Sequence, residues 1–125
     1  MDGDSGQRFG VEVTSGDGAV VLALSGELDH DTAEPLRVAL AEQIEAGARR
    51  IVVDCARLRF CDSTGLNALL RARLQAQENG GRVELADLRP PVSRMFEITG
   101  AHTVFQVHAD LAAALASADR RPERG

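Results

Sequence analysis

Seven consecutive residues, Phe60-Cys61-Asp62-Ser63-Thr64-Gly65-Leu66, set two hydroxyls directly after an acid and just ahead of an apolar helical stripe. The first turn of a helix has backbone N–H groups with no intrahelical partner. Those groups and the helix dipole favour an anion there. Two readings follow. In the first, Asp62 is a cap and the hydroxyls are only small polar neighbours. In the second, Ser63 carries a phosphate in that field, and Gly65 lets another backbone or a nucleotide phosphate approach closely. The local pattern by itself favours the cap. A serine hydrolase fits worse, because G-x-S-x-G is absent and the spacing implies no Ser–His–Asp set.

A second stretch, Gly26-Glu27-Leu28-Asp29-His30-Asp31-Thr32-Ala33-Glu34, packs five ionisable side chains between a strand and a helix. Asp29, His30, Asp31 and Glu34 are potential metal ligands. No second cluster completes a coordination sphere, however, and acids at a helix start have an ordinary dipole explanation. The expected metal set is none, and recognition of a partner by a loop at a sheet end is the better reading. All 14 basic residues are arginine. Without lysine there is no P-loop lysine, no Schiff base and no Ser–Lys dyad.

These stretches need elements to hold them. Val11–Thr14 and Ala19–Ser25 read as a hairpin around Ser15-Gly16-Asp17-Gly18. Gly26–Asp31 breaks the pattern. A helix is expected over Thr32–Ala46, with Ala33, Leu36, Leu40 and Ile44 on one face, Thr32 or Asp31 as cap and Gly47 as stop. Ile51-Val52-Val53 suits a central strand covered on both faces. Ala56–Cys61 reads as a loop into a helix over Ser63–Asn79. Its expected apolar stripe is Leu66, Leu69, Leu70 and Leu74, with Arg71, Arg73, Gln75 and Glu78 outward. Val83–Ala86 is a strand. Pro90-Pro91 opens a short helix with Met95 and Phe96 in the core, closed by Gly100. Val104–Val107 is a last strand, and Asp110 caps a final helix to about Ala118. Arg49-Arg50 reads as a solvated connection, and His102 and His108 as isolated structural or surface residues.

The order ββαβαβαβα predicts an α/β fold: a mostly parallel mixed sheet flanked by about four helices in a single domain over 9–118, with flexible termini at 1–8 and 119–125. A chain of 125 residues that is 44% hydrophobic and 26% charged can bury one core. With 3% aromatics, that core must be Val, Leu, Ile and Ala. A net charge of −5 argues against nucleic acid or an anionic membrane as partner. Cys55 and Cys61 lack CxxC spacing and read as reduced thiols in a cytoplasmic protein. The start of the chain does not read as a signal peptide, and no run has the length of a membrane span.

Taken together, G-E-L-D-H-D-T-A-E at 26–34, F-C-D-S-T-G-L at 60–66 and P-P-V-S-R-M-F-E-I-T-G at 90–100 resemble the STAS family of anti-sigma factor antagonists over residues 9–118. The resemblance implies a non-enzymatic partner switch in transcription and stress signalling. Unphosphorylated antagonist binds an anti-sigma factor serine kinase with a histidine-kinase-like ATPase fold and so releases a sigma factor. The kinase modifies the antagonist with ATP and Mg²⁺, and a metal-dependent Ser/Thr phosphatase reverses the modification. The acceptor falls on Ser63, with Thr64 as the alternative, and the antagonist itself carries no cofactor. The implied partner surface is Gly26, Glu27, Leu28, Asp29, Asp62, Ser63, Thr64, Gly65 and Leu66, with Asp29 the leading contact. Cys61 stands where Met is common and Asn67 where a small Gly often follows the Leu. The alternative is a STAS scaffold or nucleotide-sensing module without sigma-factor control.

Overall fold

The structure is a computed structural model that describes residues 8–16 and 18–117. Most of the expected termini therefore lies outside the described residues. The elements are β1 (Phe9–Gly16), β2 (Ala19–Leu28), α1 (Ala33–Glu45), β3 (Arg50–Cys61), α2 (Ser63–Glu78), β4 (Arg82–Ala86), α3 (Pro90–Thr99), a 3-10 turn (Ala101–Thr103), β5 (Val107–His108) and α4 (Leu111–Ala116). The sheet order is β1-β2-β3-β4-β5. The β1–β2 hairpin is antiparallel, and every later pairing is parallel through a crossover. The chain is thus the α/β, mainly parallel sheet that the alternation of strand and helix patterns predicts.

Side-chain alternation divides the strands between two faces. Leu22, Leu24, Ile51, Val53, Val83 and Leu85 join Leu36, Leu40, Leu69 and Phe96 in the main core under α1, α2 and α3. Val52 and Ala86 turn the other way and meet Ala114 and Leu111 of α4. This two-sided burial is why Ile51-Val52-Val53 is apolar without alternation.

Several expectations change. β2 does not stop at Ser25, and Ala56–Cys61 is not a loop. Each strand runs on, because the two stretches pair with each other: Gly26 with Leu58, Glu27 with Phe60 and Leu28 with Cys61. Irregular register at Ala23/Ser25 and Gly26/Glu27 accommodates the turn-prone residues. The last strand starts at Val107 rather than Val104, because the chain after Gly100 first makes a 3-10 turn, with the Val104 N–H donating to the Ala101 carbonyl. On α2, Leu74 is 54% exposed. The buried face is instead Gly65, Leu66, Ala68, Leu69, Ala72 and Ala76. Small residues there let α2 lie close to α1 and the sheet, Leu66 and Leu69 are buried among them, and Leu70 and Leu74 fall at the margin. Thr32 precedes α1, but its hydroxyl makes no capping bond to the helix.

The Arg49-Arg50 pair is not uniformly solvated. Arg50 is 3% exposed and Glu84 2%. Arg50 Nε and Nη2 donate to Glu84 Oε1 at 3.0 and 2.9 Å, and Nη2 also donates to the Ala114 carbonyl at 2.6 Å. His108 is not isolated either: its Nε2 lies 2.9 Å from Glu84 Oε1, while Arg82 Nε donates to Oε2. Because Glu84 is the acceptor, Nε2 of His108 carries the proton. Arg50 thereby joins β3 to β4 and to the carbonyl end of α4, and Glu84 carries the network on to His108 of β5, on the sheet face that α4 covers.

Candidate functional site: the ends of β2 and β3

The two sequence stretches meet where β2 and β3 leave the sheet. The Asp62 N–H donates to the Leu28 carbonyl at 3.1 Å, one step beyond the Leu28–Cys61 pair. Asp62 is the cap of α2: its Oδ1 accepts from Thr64 N at 2.9 Å and Gly65 N at 3.1 Å. Those first-turn amides are therefore already occupied by a carboxylate. The expectation that they receive a phosphate changes accordingly. Ser63, the first residue of α2, is exposed, Thr64 is half-buried, and Asn67 is exposed. Among the described residues the Ser63 hydroxyl has no hydrogen-bond partner, so no base activates it as a nucleophile. Burial, with a smaller contribution from the Asp62 charge, pushes the Cys61 thiol up to about 12. The thiol is thus chemically quiet, and the free hydroxyl is the accessible group of the motif.

Gly65 is not open to a nucleotide. A Cβ there would lie 2.5 Å from Leu28 Cγ and 3.1 Å from Cys61 Sγ. The close approach that this glycine permits is internal: it seats the start of α2 on Leu28. Leu28 and Leu66 are buried as well, at 0% and 5% exposure. These three expected contact residues support the surface from beneath. Gly65→Ala should lower the unfolding free energy by about 1–3 kcal/mol through overpacking. Urea denaturation checks it, and wild-type stability would contradict the packing account.

Beside this helix start, the acidic stretch is a tightly bonded turn. Thr32 Oγ1 donates to the Glu27 carbonyl and accepts from the Asp29 N–H, both at 2.8 Å. Asp29 Oδ1 accepts from the N–H groups of Asp31 and Thr32 at 2.9 and 3.2 Å. Arg8 completes the arrangement, with Nη1 3.0 Å from Asp29 Oδ2 and 3.2 Å from Glu27 Oε1. The Arg8 hydrogen bond holds the Asp29 carboxyl below the usual carboxylate range. Asp29 is thus occupied in shaping the loop, whereas Asp31, His30 and Glu34 are exposed, and Glu34 pairs with Arg37 at 3.0 Å. Among the described residues no three His, Cys, Asp or Glu side chains are grouped to hold a metal ion.

Two features of this surface escape the sequence reading. Phe60 is 47% exposed opposite Glu27, an apolar patch at the strand end. Arg8 belongs by sequence to the terminus at 1–8, yet the hairpin register contains the signal for it. Gly16 faces Ala19 and Phe9 faces Gly26, so the next step sets Arg8 against Glu27.

Comparison with known proteins decides the family. The family model described as "Mlab, STAS domain" matches residues 11–111. This chain belongs to the STAS domain family. The STAS chain is 36% identical over 101 residues to the putative anti-sigma factor antagonist BtrV of Bordetella bronchiseptica, covering 81% of this chain and 87% of that protein. Its fold is similar to the crystal structure of an anti-sigma factor antagonist from Mycobacterium paratuberculosis, with a TM-score of 0.80, 26% identity, and 87% and 92% coverage of the two chains. It is also similar to the Bacillus cell fate determinant SpoIIAA in its phosphorylated form, with a TM-score of 0.68, 28% identity, and 87% and 97% coverage. No described helix of this STAS domain is long and apolar enough to cross a membrane.

Proposed function

We propose that this STAS protein is a cytoplasmic anti-sigma factor antagonist, a binding switch and not an enzyme. Unphosphorylated, it binds an anti-sigma factor that is also a serine kinase with a histidine-kinase-like ATPase fold. Phosphorylation of Ser63 with ATP and Mg²⁺ breaks that complex, and a metal-dependent phosphatase restores it. The observation that carries this reading is the exposed, unpartnered Ser63 hydroxyl at the start of α2, held next to the acidic turn by the Asp62–Leu28 hydrogen bond. Such a hydroxyl can enter a kinase active site without local unfolding. The similarity to a protein known in a phosphorylated form supports the same reading. Half-buried Thr64 is the less accessible alternative acceptor.

Incubation with the host's cognate kinase and ATP–Mg²⁺, followed by phosphopeptide mass spectrometry, tests the assignment. Ser63→Ala should take up no phosphate, and Thr64→Ala should retain uptake. Wild-type uptake by Ser63→Ala would remove Ser63 as the acceptor.

A further inference from the structure

We infer that Arg8 is a positioning residue for partner recognition, strapping the 27–31 turn into the shape and charge that the switch surface presents. The recognition role rests on the proposed reading of this surface, whereas the strap itself does not. Its backbone half is set by Gly26. The Arg8 carbonyl accepts from the Glu27 N–H at 2.7 Å. The same oxygen lies 1.9 Å from where a Gly26 Cβ would stand, and Gly26 has φ +91°. Only a glycine lets the chain cross there.

The side-chain half is the guanidinium. It reaches Asp29 Oδ2 at 3.0 Å, Glu27 Oε1 at 3.2 Å and Asp31 Oδ2 at 3.8 Å. Arg8 thus holds Asp29 Oδ2 through Nη1 and reaches Oδ1 through Nη2 at 3.5 Å, while Oδ1 also accepts the Asp31 and Thr32 amides. Among the described residues no other cation pairs with these three acids. Three carboxylates and one guanidinium leave the turn at −2 instead of −3. A partner meets a turn that is already ordered and less acidic than its sequence suggests, so little ordering remains to be done on binding. The planar fork suits several carboxylates at once, which a lysine ammonium does less well.

Amide hydrogen exchange on the full chain tests the strap. In Arg8→Gln the Asp31 and Thr32 amides should exchange about tenfold faster, because local opening becomes easier. The Thr64 and Gly65 amides, held by Asp62, should keep wild-type rates, and Arg8→Lys should fall between. Affinity for the anti-sigma partner should drop about tenfold in Arg8→Gln, with Asp29→Asn adding little in the double variant, since both act through one contact. Unchanged exchange at Asp31 and Thr32, or additive affinity losses, overturns the inference. If wild-type protein binds no anti-sigma partner, the recognition role falls with the proposed function, and the exchange rates still judge the strap.

Discussion

Replacing Glu84 with Gln lowers the unfolding free energy by about 3–5 kcal/mol, the usual cost of breaking a buried ion pair from one side. Glu84 accepts two hydrogen bonds from Arg50, one from His108 and one from Arg82. Glutamine retains one acceptor oxygen and turns an NH₂ group toward those donors. Arg50, 3% exposed, then keeps its charge without a counter-ion. Replacing Arg50 and Glu84 together by apolar residues of similar size should cost much less, because no charge is left stranded. Urea denaturation of the single and double variants separates the cases, and a wild-type midpoint for Glu84→Gln would refute the account.

The same group gives a pH dependence with a definite sign. Burial raises the Glu84 carboxyl, but hydrogen bonds from Arg82, Arg50 and His108 outweigh it and hold the carboxyl below its ordinary value. A folded-state value below the unfolded one means that the contribution is fully present above the unfolded carboxylate value of about 4.3. It is lost as pH falls from there through the folded value. Wild-type protein should therefore lose stability on acidification below about pH 4.3, and Glu84→Gln should lack that component. Equal acid slopes for the two proteins would contradict it. Arg50 begins β3 and Cys61 ends it, so roughly 35 Å of strand separates this network from the Ser63 end. Partner affinity of the folded variant should stay unchanged.

Phosphorylated Ser63 should weaken binding of the anti-sigma partner by a few hundredfold, a change of about 3–4 kcal/mol. The phosphate adds about −1.5 to −2 charges at pH 7. It meets an Asp62 carboxylate already bonded to the Thr64 and Gly65 amides. The helix start therefore offers it little shelter, and the added charge and its hydration remain at the surface where the partner must dock. Exposed Phe60 lies at the same strand end, and a hydrated phosphate nearby also opposes burial of that ring. Titration of partner with phosphorylated, unmodified and Ser63→Asp protein measures the effect. Ser63→Asp, with less charge, should lie between the other two. Equal affinity of all three would end the electrostatic account.

The order of elements, the central Ile51-Val52-Val53 strand, the caps at Asp62 and Asp110 and the stop at Gly100 were all legible in the chain. Each depends on neighbours a few residues apart, and local backbone chemistry sets it. The family and the two meeting stretches were legible for the same reason, as short runs with distinctive residue types. The extension of β2 and β3 was hidden, because each half has strand form only when the other pairs with it. The exposure of Leu74 was hidden too. Helical spacing permits Leu66, Leu69, Leu70 and Leu74 on one side, and only the positions of α1 and the sheet select Leu66 and Leu69 together with Gly65, Ala68, Ala72 and Ala76.

Charge placement shows the division most plainly. The sequence by itself determined an acidic turn between a strand and a helix, and an Asp-Ser-Thr start to a second helix, and only the family resemblance implied that the two share one surface. Only the tertiary structure decided which charges are free. Arg8 and Arg50 look alike in the chain, yet one straps Asp29 at the surface and the other is buried against Glu84. The physical reason is that an ion pair forms between groups brought together by register and packing, across 21 residues in one case and 34 in the other.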